Sequence, residues 1–371
     1  MKIAYLVSAG VVAVPTSGVV KKIESHIREW ERLGHEVRLF ALVPPGADPV
    51  VVQKFAPGVI LEDAPLRFKY LVLDILRRYQ TSAKLAEAVD TWKPDLIYHR
   101  FGTFFPAFLK LQKNYPTVIE VNTDDVMELK LLQPLYKRAY RQFSRRKALR
   151  TAAGAVFLTH ELAERQYFKE YVRKSTVIAN GIDFGTYPEG LLERAAHNKE
   201  PQFVFIASPG LSWHGLDQLF ELARIFPPWG FHVIGPKAPP RGIPKNVKFY
   251  GELSEDQYRP VLQKADFGIG SLASHRKKMS EACPLKVREY LAYGLPVILR
   301  DSDTDFPKEP WFVLRLPEET QRMADYAPII RDFVQSAQSR RVRRLEIAHL
   351  DVKYKEKLRL DFFQKILEAS R

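Results

Sequence analysis

The chain is 371 residues long, 46% hydrophobic and 27% charged with 19 Gly and 26 Pro, which excludes fibrous and disordered classes and suggests two domains of ordinary size. Its one cysteine, Cys283, excludes an internal disulfide or a Cys-rich zinc site and suits a reducing, cytoplasmic compartment. A formal net charge of +14 favours anionic partners without choosing among nucleic acid, acidic lipid and phosphorylated substrates.

In chain order, Lys2 to Val7 reads as a buried strand. With a single lysine and no small-x-small motif before Pro15, this stretch is a strand running into a loop rather than a secretory leader, and no apolar run approaches the roughly 18 residues needed to span a bilayer. Helical spacing follows at Ile23, Ile27, Trp30 and Leu33, and Gly34 stops it. Further strands are predicted at Val37 to Leu42, Leu96 to Tyr98, Thr117 to Val121, Ala155 to Leu158 and Thr176 to Ile178, with helices between most of them. That alternation predicts a parallel sheet, which binds ligands at the carboxyl ends of its strands. Ser17 and Gly18 open a helix on that edge, and Gly18 lets the backbone approach a phosphate. His99 and Arg100 end one strand and Asn122, Asp124 and Asp125 the next; each suits an acceptor or a transferring sugar as well as it suits the fold. The first loop has neither G-x-G-x-x-G nor G-K-[ST] spacing, which argues against dehydrogenase and ATPase readings.

From Phe184 to Pro201 the chain turns polar and irregular, as a linker does. Alternation then restarts, with strands at Phe203 to Ala207, Phe231 to Ile234, Val247 to Tyr250, Phe267 to Gly270 and Pro296 to Arg300, and helices from near Leu216, Ser254 and Pro284. Lys353 to Ser370 has helical spacing at Leu358, Phe362, Ile366 and Leu367. The expected organisation is an α/β domain at 1–185, a second at 186–350, and a terminal helix at 351–371.

The segment Met279 to Leu299, MSEACPLKVREYLAYGLPVIL, carries the chemistry. Pro284 suits the first helical position and Gly294 with Pro296 the exit, so a helix of about three turns feeds a buried strand. Glu281 then sits in the loop ahead of the helix. Val287, Tyr290, Leu291 and Gly294 share one face, while Lys286 and Glu289, three apart, share another. A lysine in the first turn is electrostatically misplaced against the positive end of the helix dipole, and an anion resolves the conflict. Free N–H groups, the dipole and Lys286 make a phosphate site, with Glu281 and Glu289 placed to accept hydrogen bonds from hydroxyls on either side, the pattern of a nucleotide sugar. Helix arithmetic equally allows a solvated Lys286 and a Glu289 that faces water.

Glu281 and Glu289 with seven residues between them, followed by AYGLPVI, resemble the Glu-x7-Glu signature of retaining glycosyltransferases of the GT-B fold, in particular glycosyltransferase family four. GHEVRLF at 34–40, KPDLIYHR at 93–100, EVNTDD at 120–125, VIANGID at 177–183, VKFYGEL at 247–253 and ADFGIG at 265–270 agree, so the resemblance spans nearly the whole chain. It implies two Rossmann-like domains, each a doubly wound parallel sheet, facing across a cleft, with the C-terminal one holding the donor nucleotide and the last helix crossing back to the first. By position, Glu281 would hold the hydroxyls of the donor sugar and Glu289 the ribose. Lys286 and the backbone at Pro284 and Leu285 would hold the pyrophosphate, with Ser208, Gly210, Ser17 and Gly18 also on the donor side and His99, Arg100 and Asn122 on the acceptor side. One position departs from the pattern: in SPGLSWHGLDQLFEL the family commonly has a lysine directly before the glycine, and here His214 precedes Gly215. A histidine there donates to phosphate from a helix N-terminus, but with an ordinary pKa of about 6.5 its charge is expected to follow pH. Retaining members of the family need no side-chain base, the leaving phosphate taking the acceptor proton. No metal is expected, because the nine histidines are scattered without ligand-like pairs.

Lys137, Arg138, Arg141, Arg145, Arg146, Lys147 and Arg150 lie on a predicted helix, 137–150, with Tyr136, Tyr140 and Phe143 on its apolar side. Such a helix rests on an anionic membrane or packs as a solvated surface helix. The cluster Arg340, Arg341, Arg343 and Arg344 reads as solvated surface. Together these readings give a hexosyltransferase-type, retaining enzyme moving a sugar from a nucleotide sugar to a glycan or lipid-linked acceptor in surface polysaccharide or glycoconjugate biosynthesis, cytoplasmic and peripheral on the inner membrane face. The alternatives are a sugar-nucleotide epimerase or a non-catalytic donor binder of the same fold. Nucleic-acid binding ranks below both, since no RNA or DNA module is present and carboxylates flank the phosphate site.

Overall fold

In the computed structural model residues 1–8, 12, 17–65, 67–102, 105–132, 145–187, 198–239, 241–317 and 322–370 are described, and the chain divides into Met1–Ala179 with Val352–Arg371, and Asn180–Asp351. Among the described residues no helix is long and apolar enough to cross a membrane.

In the first unit β1 (Lys2–Val7), β2 (Glu36–Val43), β3 (Val59–Glu62), β4 (Leu96–Arg100), β5 (Thr117–Val121), β6 (Gly154–Phe157) and β7 (Ser175–Val177) pair in parallel, in the order β3-β2-β1-β4-β5-β6-β7. The order reverses between β1 and β4, where open α/β sheets bind ligands. β1 is a continuous apolar run because both of its faces are covered. Ile3, Tyr5 and Val7 share a buried cluster with Val20, Ile23 and Trp30 of helix α1 (Gly18–Arg32) and with Leu360, Phe363 and Ile366 of the C-terminal helix Val352–Glu368. Ser17 caps α1 by accepting the Val20 N–H at 3.2 Å, and Gly34, at φ +82°, ends it.

In the second unit β8 (Gln202–Ile206), β9 (Gly230–Ile234), β10 (Val247–Gly251), β11 (Phe267–Ile269), β12 (Val297–Leu299) and β13 (Val313–Arg315) form another all-parallel sheet, ordered β10-β9-β8-β11-β12-β13. Parallel register brings Phe203 beside both Phe231 and Phe267, and the rings stack at 5.1 Å on either side. Each such pair contributes about 0.5–1.5 kcal/mol beyond its buried area. On the opposite face Tyr290 lies against Gly268, where a Cβ would come within 2.3 Å of its ring, and the Tyr290 hydroxyl accepts the Ile206 N–H at 2.7 Å.

The sequence places the division at 185, inside a polar run of which 188–197 lie outside the described residues. The second unit instead begins at Asn180, whose side chain donates to the Cys283 carbonyl at 2.7 Å. Two residues on, the Ile182 N–H donates to the Leu350 carbonyl at 2.8 Å. Strands β3 and β13 were not predicted: they are sheet edges of four and three residues, too short to show a period.

Candidate functional site

Strand β8 runs into a loop through Ser208 and Gly210, then the 3-10 turn Ser212–His214, then helix α2 (Leu216–Ile225). Gly215, at φ +80°, starts α2, and a Cβ there would lie 2.8 Å from the Leu272 Cβ, so only glycine fits. His214 Nδ1 accepts the Ser208 N–H at 3.2 Å, which leaves the ring proton on Nε2 as a donor. Burial first, then Lys286 and Lys277, push its pKa down to about 2. This corrects the expectation of a pH-dependent charge: His214 is neutral wherever the protein is handled.

Helix α3 (Leu285–Ala292) begins one residue later than predicted. Pro284 is its cap, because ψ of 139° keeps it extended while its carbonyl accepts from Val287 at 3.0 Å and Arg288 at 3.3 Å. The N–H groups of Leu285 and Lys286 stand in the first turn, where a helix offers no partner of its own. Lys286 also carries its charge indoors: its Nζ is shielded from solvent, lies 4.6 Å from the centre of the Phe205 ring, and has no hydrogen-bond partner among the described residues. Burial lowers its pKa to about 7 against an opposing pull from Asp301.

Glu281 lies in the half-buried loop ahead of α3, as the spacing predicts. That loop is laced to the segment after β12 by Ala282 N–H to the Ser302 carbonyl (2.9 Å) and Ser302 N–H to the Ser280 carbonyl (2.8 Å). Glu289 does not face water. It is buried, and Oε1 accepts from the Tyr258 hydroxyl at 2.7 Å and the Tyr187 hydroxyl at 3.5 Å. Burial and this carboxylate raise the pKa of both phenols.

Three groups around α3 were missed by sequence reasoning. Arg288 is fully buried and forks onto Asp303 at 2.6 and 2.8 Å, with further bonds to Asp305 at 2.9 Å and the Asn180 carbonyl at 2.8 Å. A charged residue on a helix reads as solvent-facing, and nothing in the sequence announces two distant aspartates closing on it. The two tyrosines around Glu289, Tyr187 and Tyr258, come from separate stretches of the chain. Lys277, whose charge reaches His214, was legible only as part of the basic run HRKK before Glu281.

In the first unit the other candidates are also placed. Ser17 and Gly18 start α1, with the residues before them outside the described set. His99 is buried, Nε2 is 2.8 Å from the Ser8 hydroxyl, and burial lowers its pKa to about 3. Arg100 and Asn122 both bond to one carboxylate: Glu120 accepts from Arg100 at 3.2 Å and from Asn122 at 3.0 Å. Glu120 also forms an ion pair with Lys22 at 2.7 Å.

The helix 137–150 lies partly outside the described residues, Lys137, Arg138 and Arg141 among them. Arg145 is not a surface charge: it is buried, bonds to Asp125 at 2.8 Å and stacks 4.4 Å from the Phe168 ring centre. The second arginine cluster is likewise used by the fold, Arg340 covering the Trp311 ring, Arg341 donating to the Ala265 carbonyl and Arg344 to that of Tyr187.

Two doubly wound parallel sheets of seven and six strands define the GT-B class, and solved structures share that architecture across the whole chain. A sucrose-phosphate synthase from Thermosynechococcus elongatus superposes with a TM-score of 0.72 at 14% identity, covering 100% of both chains. HepE from Anabaena, solved with UDP-glucose, gives 0.64 at 17%, covering 98% of this chain and 100% of its own. The lipopolysaccharide outer core galactosyltransferase WaaB gives 0.64 at 15%, covering 100% of both. No curated protein sequence matches significantly. Residues 16–186, in the N-terminal unit, match the family model described as Glycosyltransferase Family 4.

Proposed function

We propose that this protein is a retaining hexosyltransferase that moves a sugar from a nucleoside-diphosphate donor to a glycan or lipid-linked acceptor in the assembly of a surface polysaccharide or glycoconjugate, working in the cytoplasm. The observation that carries the reading is Lys286: a shielded ammonium without a hydrogen-bond partner among the described residues, in the first turn of α3 and within electrostatic reach of the neutral His214. Burying that ammonium costs stability that the attraction of Asp301 only partly offsets, and a diphosphate supplies the hydrogen-bond acceptors the site lacks. As the C1–O bond to the diphosphate breaks, negative charge grows on the leaving phosphate, where Lys286, the α3 N–H groups and the His214 Nε2–H stabilise it. The acceptor oxygen forms the new bond to C1 on the same face, and its proton ends on the departing phosphate. Glu281 holds sugar hydroxyls and Glu289 the ribose, its carboxylate oriented by Tyr258. Metal plays no part in this scheme, and turnover is expected to persist in EDTA. UDP is the first donor base to try, since one GT-B neighbour was solved with UDP-glucose.

The test is calorimetric titration with UDP, GDP and their sugars, Glu289→Ala alongside, followed by turnover with candidate acceptors. Binding of one diphosphate, weakened in the variant while the variant remains folded, supports the reading. Binding without transfer to any acceptor favours the epimerase or donor-binder alternative, and binding of none overturns it.

A further inference from the structure

Six of the exposed large hydrophobic side chains of this protein crowd into residues 68–79. Phe68 is 75% exposed and Val72 73%, with Leu76 at 54%, Tyr79 at 49%, Leu73 at 45% and Tyr70 at 44%. They sit on the 3-10 turn Phe68–Tyr70 and the opening turns of the helix Leu71–Trp92. Val72, Leu76 and Tyr79, spaced i, i+4 and i+7, form one stripe, whereas Leu85, Ala86 and Val89 of the same helix are buried in the unit. Isolated apolar side chains at a surface are ordinary; a contiguous set is not.

The charges around this stripe are mostly positive; the exposed carboxylates nearby are Glu62, which shares a surface recess with Arg77 and Lys84, and Glu87 further along the helix. Between Ala64 and Ala86 the only carboxylate is Asp74, and it is fully buried and gripped by Arg67, which donates to it at 2.8 and 3.0 Å. That clasp also fixes the turn bearing Phe68 onto the helix. Lys69, Arg77 and Lys84 remain exposed beside the stripe. A protruding apolar stripe flanked by an excess of cations, with Asp74 turned inward, matches the two halves of an anionic bilayer: acyl boundary below, phosphate headgroups above. A second copy of the chain fits poorly, because a two-fold contact through this patch would bring the same lysines and arginines face to face.

We propose that residues 68–79 are a membrane-docking surface, with Phe68, Val72, Leu73 and Leu76 entering the interface of an anionic bilayer and Lys69 and Arg77 contacting its headgroups. The assignment is independent of the donor site, since it predicts binding without nucleotide or turnover.

The experiment is cosedimentation of the full chain with vesicles of about one-third phosphatidylglycerol in phosphatidylcholine, and with pure phosphatidylcholine. Wild type is expected to partition onto the anionic vesicles, less so at high salt. The triple change Phe68→Ser, Val72→Ser, Leu76→Ser is expected to reduce partitioning at least about tenfold with an unchanged melting temperature, these side chains being largely exposed. The pair Lys69→Glu and Arg77→Glu is expected to remove the preference for anionic lipid. Failure of wild type to bind, binding by the triple variant at wild-type strength, or a wild-type dimer in light scattering that the triple variant abolishes would each overturn the proposal.

Discussion

Lys22 and Lys286 occupy similar places, each early in a helix that packs on a parallel sheet, and each is taken out of water. Burial lowers Lys22 to a pKa of about 8 and Lys286 to about 7. The difference lies in what meets them. Lys22 forms an ion pair with Glu120 at 2.7 Å and donates to Asn122 at 2.8 Å, so its charge is spent on holding α1 to β5. Lys286 has an aromatic face and no hydrogen bond. The charge of Lys22 has hydrogen-bonding partners in place and belongs to the fold, whereas that of Lys286 has none among the described residues, which is what the proposed diphosphate would supply.

The sharpest way to break this contrast is Glu120→Ala, which would strand both Lys22 and Arg100. Removing one partner of a buried ion pair costs about 3–5 kcal/mol, and urea denaturation is expected to show a loss of that size with nucleotide affinity unaltered. A loss below about 1 kcal/mol would mean that water reaches the cluster. Lys286→Met is expected to do the opposite: diphosphate affinity falls by about 1.5–3 kcal/mol, the worth of a charge-assisted hydrogen bond, while the melting temperature holds or rises. Unchanged affinity would remove Lys286 from the donor site.

The smallest effect is in pH. A bound diphosphate raises the pKa of Lys286, so binding favours the protonated lysine. Affinity for a nucleotide sugar, whose diphosphate does not titrate near neutrality, is therefore full below the free-state pKa of about 7. It weakens as pH rises from there toward the bound-state value, by at most about tenfold per unit. His214, already neutral, adds no step near its ordinary pKa, and calorimetry on Lys286→Met is expected to give a flat profile.

Much of the scaffold was legible because long strands covered on both faces are continuous apolar runs, and because Gly34 and Gly294 punctuate helices where φ turns positive. Helix α3 was readable from Pro284, Lys286 and Gly294 for the same reason. Side-chain direction was not. The sequence could not tell that Glu289 turns toward Tyr258, that Arg288 is interior, or that the surroundings of His214 silence its charge, since each depends on residues far away in the chain. The apolar spacing of Val72, Leu76 and Tyr79 looks like any core stripe until the sheet is seen to cover another face of that helix.

The C-terminal helix supplies Leu360, Phe363 and Ile366 to the first unit's core, and its Glu356 accepts the Trp30 indole N–H at 2.8 Å. Synthesis therefore finishes the two units in the reverse of the order in which it starts them. The second, an unbroken stretch, can close on itself while the chain is still being made. The first must wait with Trp30 and Tyr98 uncovered until the residues after Asp351 have emerged. During that interval the nascent N-terminal half is the portion most in need of chaperone shelter.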